Sequence, residues 1–280
     1  VLPFTFPDRV CLLTGAAGGI GAALAHDLAS RGSRLALIDR DAEGLAVTAR
    51  AARLGGSPDV STHLVDLADP GGPGDLSDVV AAVLEHHGRL DLLVNNAGVA
   101  LGGRVDQVSM ADVDWLLAVN LRAVVALTIA CLPRMPAGSH LVFLSSLFGL
   151  AAPPGQAAYA ASKFAVRGFA EALRHELRPD GTGVTVVHPG GVRTGIARSA
   201  RMGAGVPAAS GEQGLAAMDR LLRMPPHRAA RQVLRAVERR RGRVLVTAEA
   251  RALDLLVRVA PEHYWSVVDR LTQGRFDGRV

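Results

Sequence analysis

The chain has 280 residues, 49% of them hydrophobic, with a formal net charge of +5, and that length and apolar content suit one large α/β domain with a full core. Its arginines are scattered among Asp and Glu rather than massed in one long run, which argues against nucleic acid as a partner. Cys11 and Cys131 lie far apart inside apolar stretches, excluding a disulfide framework, and the longest apolar run, 123–132, is too short to cross a bilayer; a cytoplasmic protein with no metal site and no membrane span is expected.

Short apolar runs alternate with longer stretches of helical period, the pattern of repeated βαβ units about a parallel sheet. In chain order, strands are predicted at 10–14, 34–39, 61–65, 90–95, 140–145, 183–188 and 243–247, and the clearest helices at 19–31, 110–132 and 157–178. Right-handed crossovers would then place helices on both faces of a doubly wound, Rossmann-like seven-stranded parallel sheet, with ligands at the carboxyl ends of the strands. No linker divides the chain, so residues 1–280 are expected to form a single domain. Residues 191–226 are rich in Gly, Ala, Met and Pro, have no strand pattern, and predict a mobile flap over the strand ends. The tail, 248–280, predicts two short amphipathic helices between Ala248 and Gln273, broken at Pro261. Leu253, Leu256, Val257, Trp265, Val268 and Leu271 are its expected buried positions, finishing the core, though a pocket cap or subunit interface would use the same face. His86 and His87 before Gly88, like the arginines from Arg239 to Arg243, read as cations at the end of a helix.

The first strand runs directly into Thr14-Gly15-Ala16-Ala17-Gly18-Gly19-Ile20-Gly21 and then a helix. Glycines let the backbone approach a pyrophosphate, and a helix N-terminus offers free amides to the anion. Gly15, Gly19, Ile20 and Gly21 are therefore candidate cofactor contacts. Asp39 ends the second strand 18 residues beyond Gly21. A carboxylate there can accept both adenosine ribose hydroxyls and repel a 2′-phosphate, favouring NAD. Arg40 beside it could hold that phosphate, which keeps NADP as the alternative. Asp66, with Leu67 next to it, either bonds the adenine amino group or caps the following loop.

Of 31 basic residues only Lys163 is a lysine, and it lies four residues after Tyr159 in a predicted helix. That spacing puts phenol and ammonium on one face. A phenol of pKa about 10 is a poor base near neutral pH, and a neighbouring ammonium would stabilise the phenolate. Asparagine is equally scarce, at Asn95, Asn96 and Asn120 alone.

Taken in order, TGAAGGIG at 14–21, Asp39, NNAG at 95–98, Asn120, Ser146 thirteen residues before Tyr159, YAASK at 159–163 and HPGGVRT at 188–194 resemble the short-chain dehydrogenase/reductase family over about 180 residues. The resemblance implies an NAD(P)-dependent oxidoreductase that moves a hydride between nicotinamide and a secondary alcohol or ketone. In that reading Tyr159 is the general acid/base, Lys163 lowers its pKa and binds the nicotinamide ribose, Ser146 rather than Ser145 bonds the substrate oxygen, and Asn120 holds a relay water. Pro189, Gly190, Val192 and Thr194 would hold the nicotinamide, while Asn95 and Ala97, beside Gly98, would position the cofactor or brace the sheet. Homodimers or homotetramers would form through the helices carrying Asn120 and Tyr159.

Leu147, Phe148, Leu150, Ala151, Met202 and Val206 are the expected pocket residues, and their apolar character predicts a hydrophobic small-molecule substrate. Arg193 and Arg198 are read as facing cofactor phosphate or solvent, although either could meet an acidic substrate. Tyr264 is read as packing and His188 as structural. A non-catalytic NAD(P)-binding sensor or regulatory protein would share the glycine turn and Asp39, but has no use for an intact Ser146, Tyr159 and Lys163.

Overall fold

The computed structural model describes residues 2–69 and 76–272. Its strands, in chain order, are β1 (Val10–Thr14), β2 (Arg34–Asp39), β3 (Val60–Leu64), β4 (Leu92–Asn95), β5 (Leu101–Gly102), β6 (His140–Leu144), β7 (Gly183–His188), β8 (Arg201–Met202) and β9 (Arg243–Leu245). Seven of them form one parallel sheet in the order β3-β2-β1-β4-β6-β7-β9, and β5 pairs separately with β8. The chain winds outward from β1 to β3 and then returns to place β4 against β1. Such a reversal opens a crevice at the carboxyl ends of β1 and β4.

Burial explains the strand sequences. Every residue of β1, β4 and β6 is buried, as expected of parallel strands covered on both faces, whereas the edge strand β3 alternates. One face packs on α1 (Gly19–Ser30), α2 (Ala42–Leu54) and α8 (Pro226–Glu238), through residues such as Leu24, Leu28, Leu45 and Val233. The other packs on α3 (Leu76–His87), α5 (Ala123–Cys131) and α6 (Ala157–Glu176), through Val83, Leu127 and Val166 among others, while α4 (Met110–Leu117) sets Leu116 against Leu101 and Tyr159.

Several expectations shift. β3 begins one residue earlier than predicted, β4 two later, and β6 stops before Ser145. β9 stops at Leu245 because Thr247 turns its Oγ1 to the amide of Ala250, 3.3 Å away, and caps α9 (Ala248–Val259). The helix predicted at 110–132 is continuous to Arg134 but contains a π-turn at Ala118–Arg122 and ends in a 3₁₀ turn. It is therefore longer than its apolar run suggests. By length and composition it is the one described helix that could cross a membrane, yet its later part lies against the sheet, and Leu116, Val119, Leu127 and Cys131 are all buried.

The flap is more ordered in form than its composition predicts. It holds β8 and α7 (Ala208–Leu221), and Val192 bridges to Met224, joining its two ends. The tail forms α9 and α10 (Tyr264–Thr272), parted around Pro261 as expected, while 273–280 lie outside the described residues. It does not finish the core. Leu253, Leu256, Val257, Trp265 and Val268 are only half-buried, and Leu271 is 79% exposed.

Candidate active site

The crevice between β1 and β4 is built by glycines and by bonds between its walls. A Cβ on Gly15, whose φ is +68°, would meet Ala97 Cα at 2.8 Å, and one on Gly21 would overlap the Gly15 carbonyl oxygen. Only glycine lets the turn close this tightly. Thr14 Oγ1 accepts the amides of Asn96 and Ala97, both at 3.0 Å, and Asn96 Nδ2 donates to the carbonyls of Thr14 (2.8 Å) and Gly15 (3.1 Å). α1 then opens at Gly19 and Ile20 with no side chain capping its first amides, which leaves them for an anion.

Asp39 shapes the next stretch. Its Oδ2 accepts Ala17 N at 2.8 Å, and its Oδ1 accepts Arg40 N at 2.8 Å and Asp41 N at 3.1 Å. Asp66 caps its loop by accepting Ala68 N at 2.9 Å, and its other oxygen lies 3.7 Å from the Arg40 guanidinium, over a buried Leu67. Asn95 is buried and donates to Thr128 Oγ1 on α5 at 3.3 Å. That bond ties β4 to α5 and so braces the sheet. Ala97 stays partly exposed there. A Cβ on Gly98 would stand 3.0 Å from Lys163 Nζ and 3.3 Å from Asn120 Oδ1. At the far end, Pro189 O accepts Leu147 N at 2.7 Å, Gly190 abuts Thr247 Oγ1, Val192 is buried, and Thr194 Cγ2 lies 3.1 Å from where a Gly19 Cβ would stand. Glycine-lined walls, free amides and a carboxylate at the end of β2 fit a dinucleotide.

Tyr159 and Lys163 sit side by side on α6, both buried. Lys163 Nζ donates to Leu144 O at 3.2 Å and lies 5.8 Å from the Tyr159 ring centroid. Burial pushes the lysine down from 10.5 to about 8. Burial also raises the Tyr159 phenol above its ordinary 10, opposed by the nearby Ser146 hydroxyl. Burial is the largest cause of that direction, opposite in sign to the effect expected of the ammonium.

The two serines have separate tasks. Ser145 Oγ donates to Lys163 O at 2.8 Å and ties β6 to α6, whereas Ser146, partly exposed, accepts Phe148 N at 3.1 Å and reaches Tyr159. His188 is structural: burial holds it near pKa 4, and its Nδ1 is 3.0 Å from Ser146 O. Asn120 stands in the π-turn with Oδ1 accepting Val99 N (2.9 Å) and Nδ2 donating to Val99 O (3.0 Å) and Ser162 Oγ (3.1 Å).

Around Tyr159 lies an apolar wall of Leu101, Leu116, Val108, Trp115 and Phe148, the last edge-on to the phenol at 6.1 Å. Leu150 and Ala151 are buried as packing, leaving Leu147, Phe148, Met202 and Val206 partly exposed. Arg193 and Arg198 are exposed, and Arg198 pairs with Asp219 at 3.4 Å. Thr14 and Asn96 stand in the sequence motifs at 14–21 and 95–98 without an assigned role, and nothing in the sequence marks Ser162 as a support or Trp115 as a wall. Tyr264 is read from the sequence as mere packing, but its hydroxyl accepts Ala152 N at 3.1 Å on the loop after Ser146.

Residues 9–204 match the short chain dehydrogenase family. The protein named SadH in Mycobacterium tuberculosis is 40% identical over 270 residues, 94% of this chain and 95% of that one. Among solved structures, a short chain dehydrogenase/reductase from Burkholderia phymatum in complex with NAD superposes with a TM-score of 0.84 at 31% identity, covering 92% of this chain and 96% of that one. A metagenomic short-chain oxidoreductase in complex with NADP gives 0.70 at 32% identity, covering 86% and 97%. By that match and those likenesses the chain belongs to the short-chain dehydrogenase/reductase family and is an NAD(P)-dependent oxidoreductase acting on CH–OH groups.

Proposed function

We propose that the chain interconverts a hydrophobic secondary alcohol and its ketone, using NAD in preference to NADP. The observation that carries this reading is the setting of Tyr159, buried, close to the Ser146 hydroxyl and enclosed by Leu101, Leu116, Trp115 and Phe148. The nicotinamide cofactor supplies or accepts the hydride when bound. Gly15, Gly19, Ile20 and Gly21 would hold its pyrophosphate, Asp39 its adenosine ribose, and Arg40, Asp66 and Leu67 its adenine end. Ala97 and Gly98 would line its middle, and Pro189, Gly190, Val192 and Thr194 would hold its carboxamide end.

Lys163 would bind the nicotinamide ribose, and Ser146 would orient the substrate oxygen. Tyr159 Oη would give that oxygen a proton in reduction and take it back in oxidation. Its raised pKa keeps it a neutral donor at pH 7, which suits reduction. Asn120 would hold the relay water with the acceptor capacity left after its bond from Val99. The sheet, flap and tail would work as one domain. Exposed Ile129 on α5 and Phe164 on α6 support a homodimer or homotetramer through these helices, and the free, buried Cys11 and Cys131 support a reducing, cytoplasmic setting.

A panel of secondary alcohols and ketones with NAD(H) and NADP(H) tests the reading. Lipophilic substrates should be preferred, and Tyr159→Phe should lower kcat by roughly 10²–10⁴-fold while sparing cofactor affinity. Faster turnover of small polar sugars, or a Tyr159→Phe variant of near-normal kcat, would count against it.

A further inference from the structure

Far from the crevice, at the amino end of the edge strand β3, Asp59, Ser61 and His63 meet His86 and His87 from the last turn of α3. His86 Nε2 lies 3.0 Å from Asp59 Oδ2, His87 Nδ1 lies 3.2 Å from the same oxygen, and the three atoms fall within 4.8 Å of one another. The helix-end explanation accounts for neither the convergence nor the burial. His87's side chain is wholly buried, yet its Nδ1 makes no hydrogen bond, because the ring nitrogen does not point at the carboxylate oxygen beside it. Two atoms that lie close without pointing at each other are arranged as ligands converging on a third.

The other ring nitrogen is accounted for. His87 Nε2 is 2.9 Å from Ser61 Oγ, which is 3.0 Å from His63 Nε2. With His87 Nε2–H donating to Ser61, and Ser61 donating on to His63, Nδ1 keeps its lone pair beside the carboxylate without aiming it there. The opposite tautomer would bury an N–H with no acceptor in line. A buried lone pair beside an anionic oxygen that is open to solvent calls for a cation.

We propose that Asp59, His86 and His87 bind a divalent cation of the zinc class, with Ser61 and His63 holding the His87 ring in place. Two imidazole nitrogens and one carboxylate oxygen are a donor set for zinc, with water completing four. Bonds of about 2.0–2.1 Å at tetrahedral angles put neighbouring ligand atoms about 3.3 Å apart, close to the separations from Asp59 Oδ2 seen here. The ion would fasten the edge strand to α3, so its effect would be on stability rather than on hydride transfer.

The test is calorimetric titration of chelator-stripped, tag-free protein with Zn²⁺ at pH 7, together with Tm. One equivalent per chain and a raised Tm are expected. Asp59→Asn and His86→Ala lie at accessible positions and should each weaken binding by about 100-fold or more, while retained NAD binding shows that they fold. Ser61→Ala should weaken it by about 10–100-fold, the usual effect of removing the partner of a ligating histidine. No bound equivalent at micromolar Zn²⁺, or one whose affinity survives Asp59→Asn and His86→Ala, overturns the site; an affinity untouched by Ser61→Ala overturns the assigned role of His87 Nδ1.

Discussion

Replacing Lys163 by Met should abolish turnover and at the same time stabilise the ligand-free protein. The ammonium is 3% exposed, and burial pushes it from 10.5 down to about 8. At about 1.36 kcal/mol per pKa unit, keeping that charge inside costs the fold on the order of 3 kcal/mol at neutral pH. Methionine fills similar space but gives up the bond to Leu144 O at 3.2 Å, a loss of about 1 kcal/mol. The net gain is about 2 kcal/mol, or about 5 °C in Tm for a chain of this size. The sign with pH comes from the same shift. Between pH 8 and 10.5 the unfolded chain retains the lysine proton that the native state has released, so wild-type stability should rise relative to the variant across that window. Urea unfolding of both proteins at pH 7 and pH 10 measures the gap. A variant less stable than wild type at pH 7, or a gap that does not narrow by pH 10, would refute this assignment of the cost to the buried charge.

Gly98→Ala places a methyl 3.0 Å from Lys163 Nζ and 3.3 Å from Asn120 Oδ1; the flexible lysine tip yields, so kcat should fall by about 10–100-fold with little change in Tm. Asp39→Asn removes a charge while its side-chain oxygen still accepts backbone amides, and should raise the NADP-to-NAD ratio of kcat/KM by about tenfold or more, as Arg40 turns from Asp66 to a 2′-phosphate. Tyr264→Phe frees the Ala152 amide on the loop after Ser146. Substrate KM should rise by about three- to tenfold, the size of one ordinary hydrogen bond, with cofactor affinity unchanged.

Strands β1, β2 and β7 are legible to the residue because double-sided burial makes them continuous apolar runs that stop at turn residues. β9 misleads because VLVT reads on as strand, whereas the Thr247 hydroxyl takes a capping bond that propensity does not foresee. α7 hides for the opposite reason: Gly211 and Gly214 lower its helical propensity and Pro207 caps nothing with a side chain. The helices of the tail follow from their period, but not the shallow burial of Leu271, which depends on what lies beneath. In the site, the Tyr159–Lys163 spacing is a local pattern and therefore readable. The Asn96–Thr14 bond joins residues 82 apart in the chain, and the Ser145–Lys163 bond residues 18 apart. Neither leaves a local trace. The upward shift of Tyr159 comes from burial among residues distant in the chain, which the spacing to Lys163 does not encode.

The π-turn at Ala118–Arg122 divides one rod into two keyed halves. Each extra residue in a helix rotates all later turns by about 100°. Before the π-turn, Trp115 and Leu116 face Tyr159; after it, Leu127 and Cys131 face the sheet. The two halves thus meet different surfaces although no loop separates them, and Asn120 stands where their phases join. Removing a single residue between Trp115 and Leu127 would rotate one half out of register with its surface. Segment length, which loops on the surface tolerate changing, is here as strictly specified as any side chain.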